Sequence, residues 1–447
     1  MSDSNDLTHG GVMRKMLLFA LPLMLGNILQ QCYNIADTFI VGRFIGAGAL
    51  AAVGAAYALM TFVNSVQFGL CMGSGVVFSM LFGGRRTDDL RKVVFISFVI
   101  VAAVTVLINV LLLVFIDPVM RLLNVPDEVY GMMRDYLWIV AWGMFFTFLY
   151  NYFCALLRSV GDSVTPLLVI IFSTVMNIGL DLIFVCVFDW GVAGAAWATV
   201  ISQAASSLLL FLHLCFRERG LLPRVHDMVF DRALTRQILS FSLLTCFQQS
   251  IMNFGILLVQ GLVNSFGVVV MAAFSAAVKI DTLAYVPAQD YGNAFSTFIA
   301  QNFGAKRFDR IAQGIKRSLL VVMAFCLTIS ILVFWGAEWL MSLFVPSTDV
   351  AVVQVGAQYL RIEGAFYVGI GLLFLFYGYY RAIARPGFSV LLTVVSLGTR
   401  VGLAYALAAL PSVGVLGIWW SVPVGWLLAD LLGFGFYRRL SPKGIRK

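Results

Sequence analysis

The sequence predicts an all-α polytopic membrane protein, with twelve transmembrane helices in two pseudo-symmetric six-helix lobes. Three observations predict it. Apolar residues make up 61% of the 447-residue chain and charged residues only 12%. Twelve apolar stretches follow one another, separated by short polar or Gly/Pro-containing breaks. The two halves match each other at a nearly constant offset. A soluble domain carries about 25% charged residues, and a soluble fold of this length has too little interior to hide so much apolar surface. The bilayer is therefore the expected solvent.

The stretches begin near Met13, Leu50, Val93, Tyr136, Pro166, Val192, Ile238, Val270, Ser318, Val352, Phe388 and Val415. A spanning helix needs about 20 apolar residues, so twelve use roughly 240–300 and leave no soluble domain to spare. The basic residues then choose an orientation. All Lys and Arg except Arg43, Arg121, Arg134, Lys279, Arg361 and Arg400 fall at the N-terminus, in the even-numbered loops or at the C-terminus, where Lys443, Arg446 and Lys447 lie. The excess predicts a multi-pass protein of the cell inner membrane with both termini cytoplasmic. The net charge of +8 is read as this loop bias and not as a nucleic-acid surface. The longest hydrophilic stretch divides the chain into an N-terminal lobe (1–216), a cytoplasmic linker (217–237) and a C-terminal lobe (238–447). The polar, acidic start lacks the order of a cleaved signal peptide, so the first helix is expected to persist. The seven Cys residues are scattered singly and read as free thiols, with neither a metal site nor a disulfide framework.

The internal match begins with Gly46 and Gly267. The same offset pairs Ala51-Ala52 with Ala272-Ala273, Phe82-Gly83 with Phe303-Gly304, Arg85-Arg86 with Lys306-Arg307, and Asp88 with Asp309. After a small insertion the offset lengthens slightly and then holds again. Tyr136-Leu137 pairs with Tyr359-Leu360, Arg158 with Arg381, and Gly191, Gly194 and Trp197 with Gly414, Gly417 and Trp420. A register kept across six helices indicates duplication, with both lobes in the same membrane orientation. Repeats of this kind are a transporter signature, with the site between lobes that rock in alternating access. The period is far beyond the roughly 20–50 residues of solenoid repeats.

Charges inside the membrane are costly, so intramembrane acids are functional candidates. Asp37 lies deep in the first span. With Asn27, Gln30, Gln31, Asn34 and Thr38 it makes one polar stripe at helical spacing, which must face protein or water. The alternative is interhelical hydrogen bonding without transport chemistry. Asp181 lies in the fifth span with Asn177 one turn before it, and Thr199 in the sixth span can approach the same region. Two carboxylates in close quarters repel and are poorly solvated, and a proton or Na⁺ relieves both penalties. In the second half Leu258, Arg400 and Ala404 stand where the first has Asp37, Asn177 and Asp181. Cation coupling is therefore expected in the N-terminal lobe alone.

The second half has other buried candidates. Lys279, Asp281 and Asp290 lie in the eighth span and Glu363 near the start of the tenth. Lys279 and Asp281 read either as a structural ion pair or as functional groups, Arg361 and Glu363 as residues that can be interfacial, and Arg400 as a partner for one of these acids. Tyr33, Tyr150, Tyr152, Tyr285, Tyr291 and Tyr367 fall mid-span. A cavity lined by such rings suits flat lipophilic cations, although ordinary packing explains any single ring. The substrate-cavity candidates are Gln31, Tyr33, Asn34, Tyr150, Asp281, Tyr285, Asp290, Tyr291, Glu363 and Tyr367. Pro22, Pro287 and Pro423 lie within spans and can kink them.

The runs Asp37-Thr38-Phe39-Ile40-Val41-Gly42, Leu157-Arg158-Ser159-Val160-Gly161-Asp162 with Pro166, Asn177 with Asp181, Pro287-Ala288-Gln289, and Ala300-Gln301-Asn302-Phe303-Gly304-Ala305 resemble signatures of the multidrug and toxic compound extrusion (MATE) family. The resemblance covers nearly the whole chain. It implies a V-shaped pair of six-helix lobes and antiport of drugs against H⁺ or Na⁺. It also implies that Asp37, Asn177, Asp181 and Thr199 match the family's N-lobe cation site. Some branches carry an acid in the seventh helix. Residues 238–263 have none, and the chain looks closer to the prokaryotic branch that uses the N-lobe.

The expected function is secondary efflux of amphipathic organic cations by a monomer without cofactors. Its only metal would be a transient Na⁺ at Asp37, Asn177 and Asp181. A lipid-linked saccharide flippase shares the architecture and is the alternative. It should show a cationic cavity for pyrophosphate, against which the N-lobe acids argue. An enzyme is not expected, since no P-loop, zinc motif, nucleophile elbow or Cys/His pair is visible.

Overall fold

The computed structural model describes residues 6–122, 125–345 and 349–439; Lys443, Arg446 and Lys447 of the basic C-terminus lie outside the described residues. The described chain is helical, without strands. Its helices are α1 (Val12–Ile40), α2 (Ala47–Gly83), α3 (Thr87–Val114), α4 (Ile116–Leu122), α5 (Asp127–Ser159), α6 (Val164–Asp181), α7 (Gly191–Arg217), α8 (Arg232–Asn264), α9 (Val268–Gly304), α10 (Phe308–Ser342), α11 (Val350–Gly364), α12 (Tyr367–Ala382), α13 (Pro386–Ala408) and α14 (Val415–Arg439). Short π-helical turns, Val41–Ile45 and Leu182–Val187, extend α1 and α6.

Among the described residues 11 helices are long and apolar enough to cross a membrane, and α11 with α12 makes a further span bent by 51°. The predicted twelve-span, all-α membrane fold is thus the one observed. Leu107, Val175, Ile331, Leu332 and Trp335 are all more than half exposed. Helices satisfy their own backbone groups, so such apolar faces can meet lipid at no hydrogen-bonding cost. The tenth span breaks at Ala365 and Phe366 and not at a proline, which hydropathy alone did not reveal.

The duplication appears in the backbone. The N–H of Arg86 bonds the carbonyl of Leu81 and that of Arg85 bonds Phe82, both at 3.0 Å. The same pattern joins Arg307 to Asn302 and Lys306 to Phe303 at 2.8 and 3.0 Å. Both are Schellman closures of a helix C-terminus. The left-handed residues are Arg85 and Lys306, each at φ 56°, and they are repeat partners. Gly46 and Gly267, and Gly191 and Gly414, likewise take positive φ in pairs. The two halves therefore turn at the same places.

The chain divides into two compact units. One holds Leu21–Cys246; the other holds Leu7–Ala20 and the described chain from Phe247 onward. The boundaries fall inside α1, beside Pro22, and inside α8. Residues 217–237, expected as an inter-lobe linker, are folded within the first unit. Arg91 Nε donates to the Gly220 carbonyl at 2.9 Å, Phe95 meets Phe230 edge-on at 5.6 Å, and Leu221 and Asp227 are buried. In the same unit Asp117 ties α4 to α5 by accepting from Arg134 Nε and the Tyr130 hydroxyl, each at 2.9 Å. Those two partners, Arg134 first, hold the Asp117 carboxyl below the usual carboxylate range.

In the second unit the start of the chain is bound by side chains of α9 and α10. Gln301 Oε1 accepts from the Leu7 amide at 3.1 Å, Asn302 Nδ2 donates to the Leu7 carbonyl at 3.3 Å, and Arg310 donates to the carbonyls of Gly10 and Leu7 at 2.8 and 3.0 Å. The Gln301-Asn302 pair within the family-like run thus secures the entry to α1. Elsewhere α9 and α12 approach at Gly378, where a Cβ would lie 2.6 Å from the Gly292 carbonyl oxygen. Gly378→Leu is accordingly expected to destabilise the protein by about 1–3 kcal/mol through overpacking. Gly131→Leu, with open space at its Cβ within α5, should not destabilise the protein, since a better helix former replaces glycine there. Thermal unfolding in detergent compares the two.

Candidate functional site

In the first unit α1 and α6 are each followed by a π turn, with an acid in the last turn of the α-helix. Asp37 lies one turn before Val41, and Asp181 is the last residue of α6. The turns are closed by i→i+5 bonds, Gly46 N to Val41 O at 3.2 Å and Phe188 N to Ile183 O at 2.9 Å. The two π turns touch, and the carboxylates of Asp37 and Asp181 face each other. π turns recur at functional sites because they re-aim side chains out of the α register.

The acids are enclosed. Asp37 is 9% exposed, and Asn177 and Asp181 are fully buried. Asp37 Oδ1, both Asp181 oxygens and both polar atoms of Asn177 have no hydrogen-bond partner among the described residues. Buried polar atoms are nearly always satisfied, so this group asks for a water or an ion. Among the described residues no Lys or Arg is an electrostatic neighbour of either acid. Tyr33 joins the cluster from α1, with its hydroxyl 3.3 Å from Thr199 Oγ1 on α7, and is itself next to Asp37 and Asp181. Around them is an apolar core that includes Val41, Met60, Val185 and Ala196.

The second unit holds another buried cluster. Asp281 on α9 and Glu363 at the end of α11 are 5% and 1% exposed and neighbour each other. Tyr367, the first residue of α12, and Tyr285 border Asp281, Tyr359 borders Glu363, and Arg400 on α13 borders both acids. Tyr359 packs edge-on against Trp419 at 4.9 Å. Broken transmembrane helices commonly expose helix ends and polar groups to a binding site, and here the break between α11 and α12 separates Glu363 from Tyr367.

Several expectations are corrected. Glu363 is not interfacial: the broken span carries it into the interior. Lys279 does not pair with Asp281; its side chain is exposed on the other side of the helix. Arg361 does lie outside, donating to Glu338 at 2.8 Å. In the polar stripe Gln30 and Thr38 are exposed, the Thr38 hydroxyl donating to the Asn34 carbonyl at 2.7 Å, while Gln31 and Asn34 are half-buried. Tyr150 is buried beside Cys154 and Arg158, away from the acid pair. Asp290 and Tyr291 are buried further along α9, where Tyr291 donates to Ser318 at 3.4 Å.

Sequence reasoning missed Tyr136 as a site residue. It is 7% exposed and borders Asp37, Tyr33 and Asp181. A signal was present, since its repeat partner Tyr359 borders the second acid pair. Asp430, half-buried on α14 with Oδ1 unpartnered, was also missed; it stands among Trp426, Leu427 and Leu431 with no motif around it.

The sequence profile of the MatE family matches residues 22–183 and again 245–406. The chain belongs to the MATE family. The family profile thus matches once in each half, as the internal repeat does. The chain is 27% identical over 442 residues to the probable multidrug resistance protein YoeA of Bacillus subtilis, covering 96% of this chain and 94% of that protein. It is 28% identical over 435 residues to the probable multidrug resistance protein YpnP of the same organism, covering 97% and 96%. In structure it resembles a MOP superfamily transporter from Pyrococcus furiosus, with a TM-score of 0.93, 22% identity, and 100% and 99% of the two chains covered. This MATE protein is a multi-pass membrane protein of a multidrug efflux family, whose relatives are transporters and not enzymes.

The geometry predicts selective chemical labelling. Dicyclohexylcarbodiimide, an apolar reagent for protonated carboxyls in apolar surroundings, should modify Asp37 in preference to the exposed Asp117 and the more deeply enclosed Asp181. Peptide mass spectrometry of wild type and Asp37→Asn reads the position. Labelling confined to surface acids would contradict the enclosed pair.

Proposed function

We propose that the protein exports amphipathic, cationic small molecules in exchange for H⁺ or Na⁺ by alternating access, and that the coupling ion binds at Asp37, Asn177, Asp181 and Thr199. The carrying observation is the facing pair of buried carboxylates with unpartnered oxygens and no basic neighbour among the described residues. Such a pair is costly in apolar surroundings until a cation arrives. Proton and Na⁺ are both served by carboxylate, amide and hydroxyl oxygens, so the same site accepts either. The multidrug names of the relatives support drug-like substrates, and the acids and tyrosines inside the spans favour cationic ones.

In this reading the protein is a monomer of the cell inner membrane with both termini cytoplasmic, and residues 1–216 and 238–447 are its functional halves. Binding at Asp37 and Asp181 changes the energy of the ends of α1 and α6. An ion can drive a conformational change only through such a difference in affinity between states.

The test is export of a fluorescent organic cation from proteoliposomes under an imposed pH or Na⁺ gradient. One of the two gradients is expected to drive export, and Asp37→Asn should slow it at least tenfold. Equal gradient-driven export by the variant would remove Asp37 from the coupling site. Translocation of a lipid pyrophosphate, with no effect of either gradient on the dye, would favour a flippase instead.

A further inference from the structure

The acid pair of the second unit lies beside Tyr359, the repeat counterpart of the Tyr136 that borders the first pair. The acids themselves come from different helices. Asp37 and Asp181 stand on α1 and α6, and Leu258 and Ala404 occupy the equivalent positions in the second half. Asp281 and Glu363 stand on α9 and α11, and Met60 and Val140 occupy their equivalents in the first. Two carboxylate pairs were thus built independently beside the same duplicated tyrosine.

A third position separates their chemistry. Asn177, fully buried one turn before Asp181, has Arg400 as its counterpart in the second half. Arg400 is the basic electrostatic neighbour of both Asp281 and Glu363, without a direct ion pair to either among the described residues. Polar capacity is left over in this cluster, since Asp281 Oδ1, Glu363 Oε2, the Tyr367 hydroxyl and Arg400 Nε have no hydrogen-bond partner among the described residues. A nearby positive charge lowers the cost of burying the two acids, and Tyr285, Tyr359 and Tyr367 are the other titratable groups facing them.

We propose that Arg400 is a tethered cation that takes the place of an exchangeable one in the C-terminal copy of the site. It offsets one carboxylate of the Asp281–Glu363 pair and cannot be released to either side of the membrane. This copy therefore takes up one ion fewer, and coupling is confined to the N-terminal copy. The proposal rests on the reading of Asp37 and Asp181 as the coupling pair. It makes Arg400 a positioning residue that sets how many cations the transporter exchanges.

The experiment counts cations bound per chain on purified full-length protein, by equilibrium binding of radiolabelled Na⁺ and by proton titration between about pH 5 and 9, the range between the ordinary carboxylate and tyrosine values. Arg400→Asn, which copies Asn177, is expected to bind one cation more than wild type. Glu363→Gln added to it should remove that cation, and Arg400→Lys should keep the wild-type count. A folded Arg400→Asn protein with the wild-type count would overturn the proposal. So would Glu363→Gln alone losing one cation, because the pair would then already exchange an ion. If Arg400→Asn does not fold, the single Glu363→Gln variant decides by itself, an unchanged count supporting the tethered cation. Asp37→Asn run in parallel separates the two ideas: a wild-type count there would refute the N-terminal coupling site and leave the Arg400 comparison intact.

Discussion

Two carboxylates that face each other in an apolar helix bundle cannot both remain charged and unaccompanied. In the first unit Asp37 and Asp181 meet in this way, with Asn177 buried beside them and, among the described residues, without a basic side chain as neighbour. Much of the local structure follows from holding them there. The π turns after α1 and α6 touch and bring the acids together. Tyr33, Tyr136 and Thr199 add oxygens from three helices, and an apolar core keeps the surroundings poor in water. In the proposed coupling, the cost of leaving this acid pair empty is what a bound cation relieves.

The second unit shows a different solution to the same constraint. The duplicated scaffold retains its turns, down to left-handed Arg85 and Lys306 at matching positions, and retains the tyrosine beside the acids. It does not retain the acids, and it adds Arg400. Duplication therefore conserved geometry while allowing the charges to diverge, as expected where the backbone is held by close packing and a site depends on a few side chains. Close approaches such as Gly378 on Gly292 fix the scaffold; a single substitution on α13 changes the charge balance of a site.

The first helix has a place in both units. Its start is bound by Gln301, Asn302 and Arg310 in the second, and its far end carries Asp37 in the first. Pro22 stands next to the point where it passes from one to the other. Covalent continuity through one helix thus joins the acid pair to the unit that lacks it.

Fold class, span number and duplication were legible in the sequence alone, and Asp37, Asn177 and Asp181 stood out there as candidates. Hydropathy, loop charge and repeat register are properties of residue order, and a charge inside a long apolar run stands out without coordinates. What only the tertiary structure decided is which of these groups meet. Glu363 looked interfacial because its depth depends on a break in the tenth span that no proline marks. Lys279 and Asp281 are near in sequence yet point to different sides of α9, whereas Asp281, Glu363 and Arg400 are far apart in sequence and converge. Order along the chain determines what a helix contains; the rotation and contacts of packed helices determine what each side chain faces, and those arise from long-range packing that the sequence does not display locally.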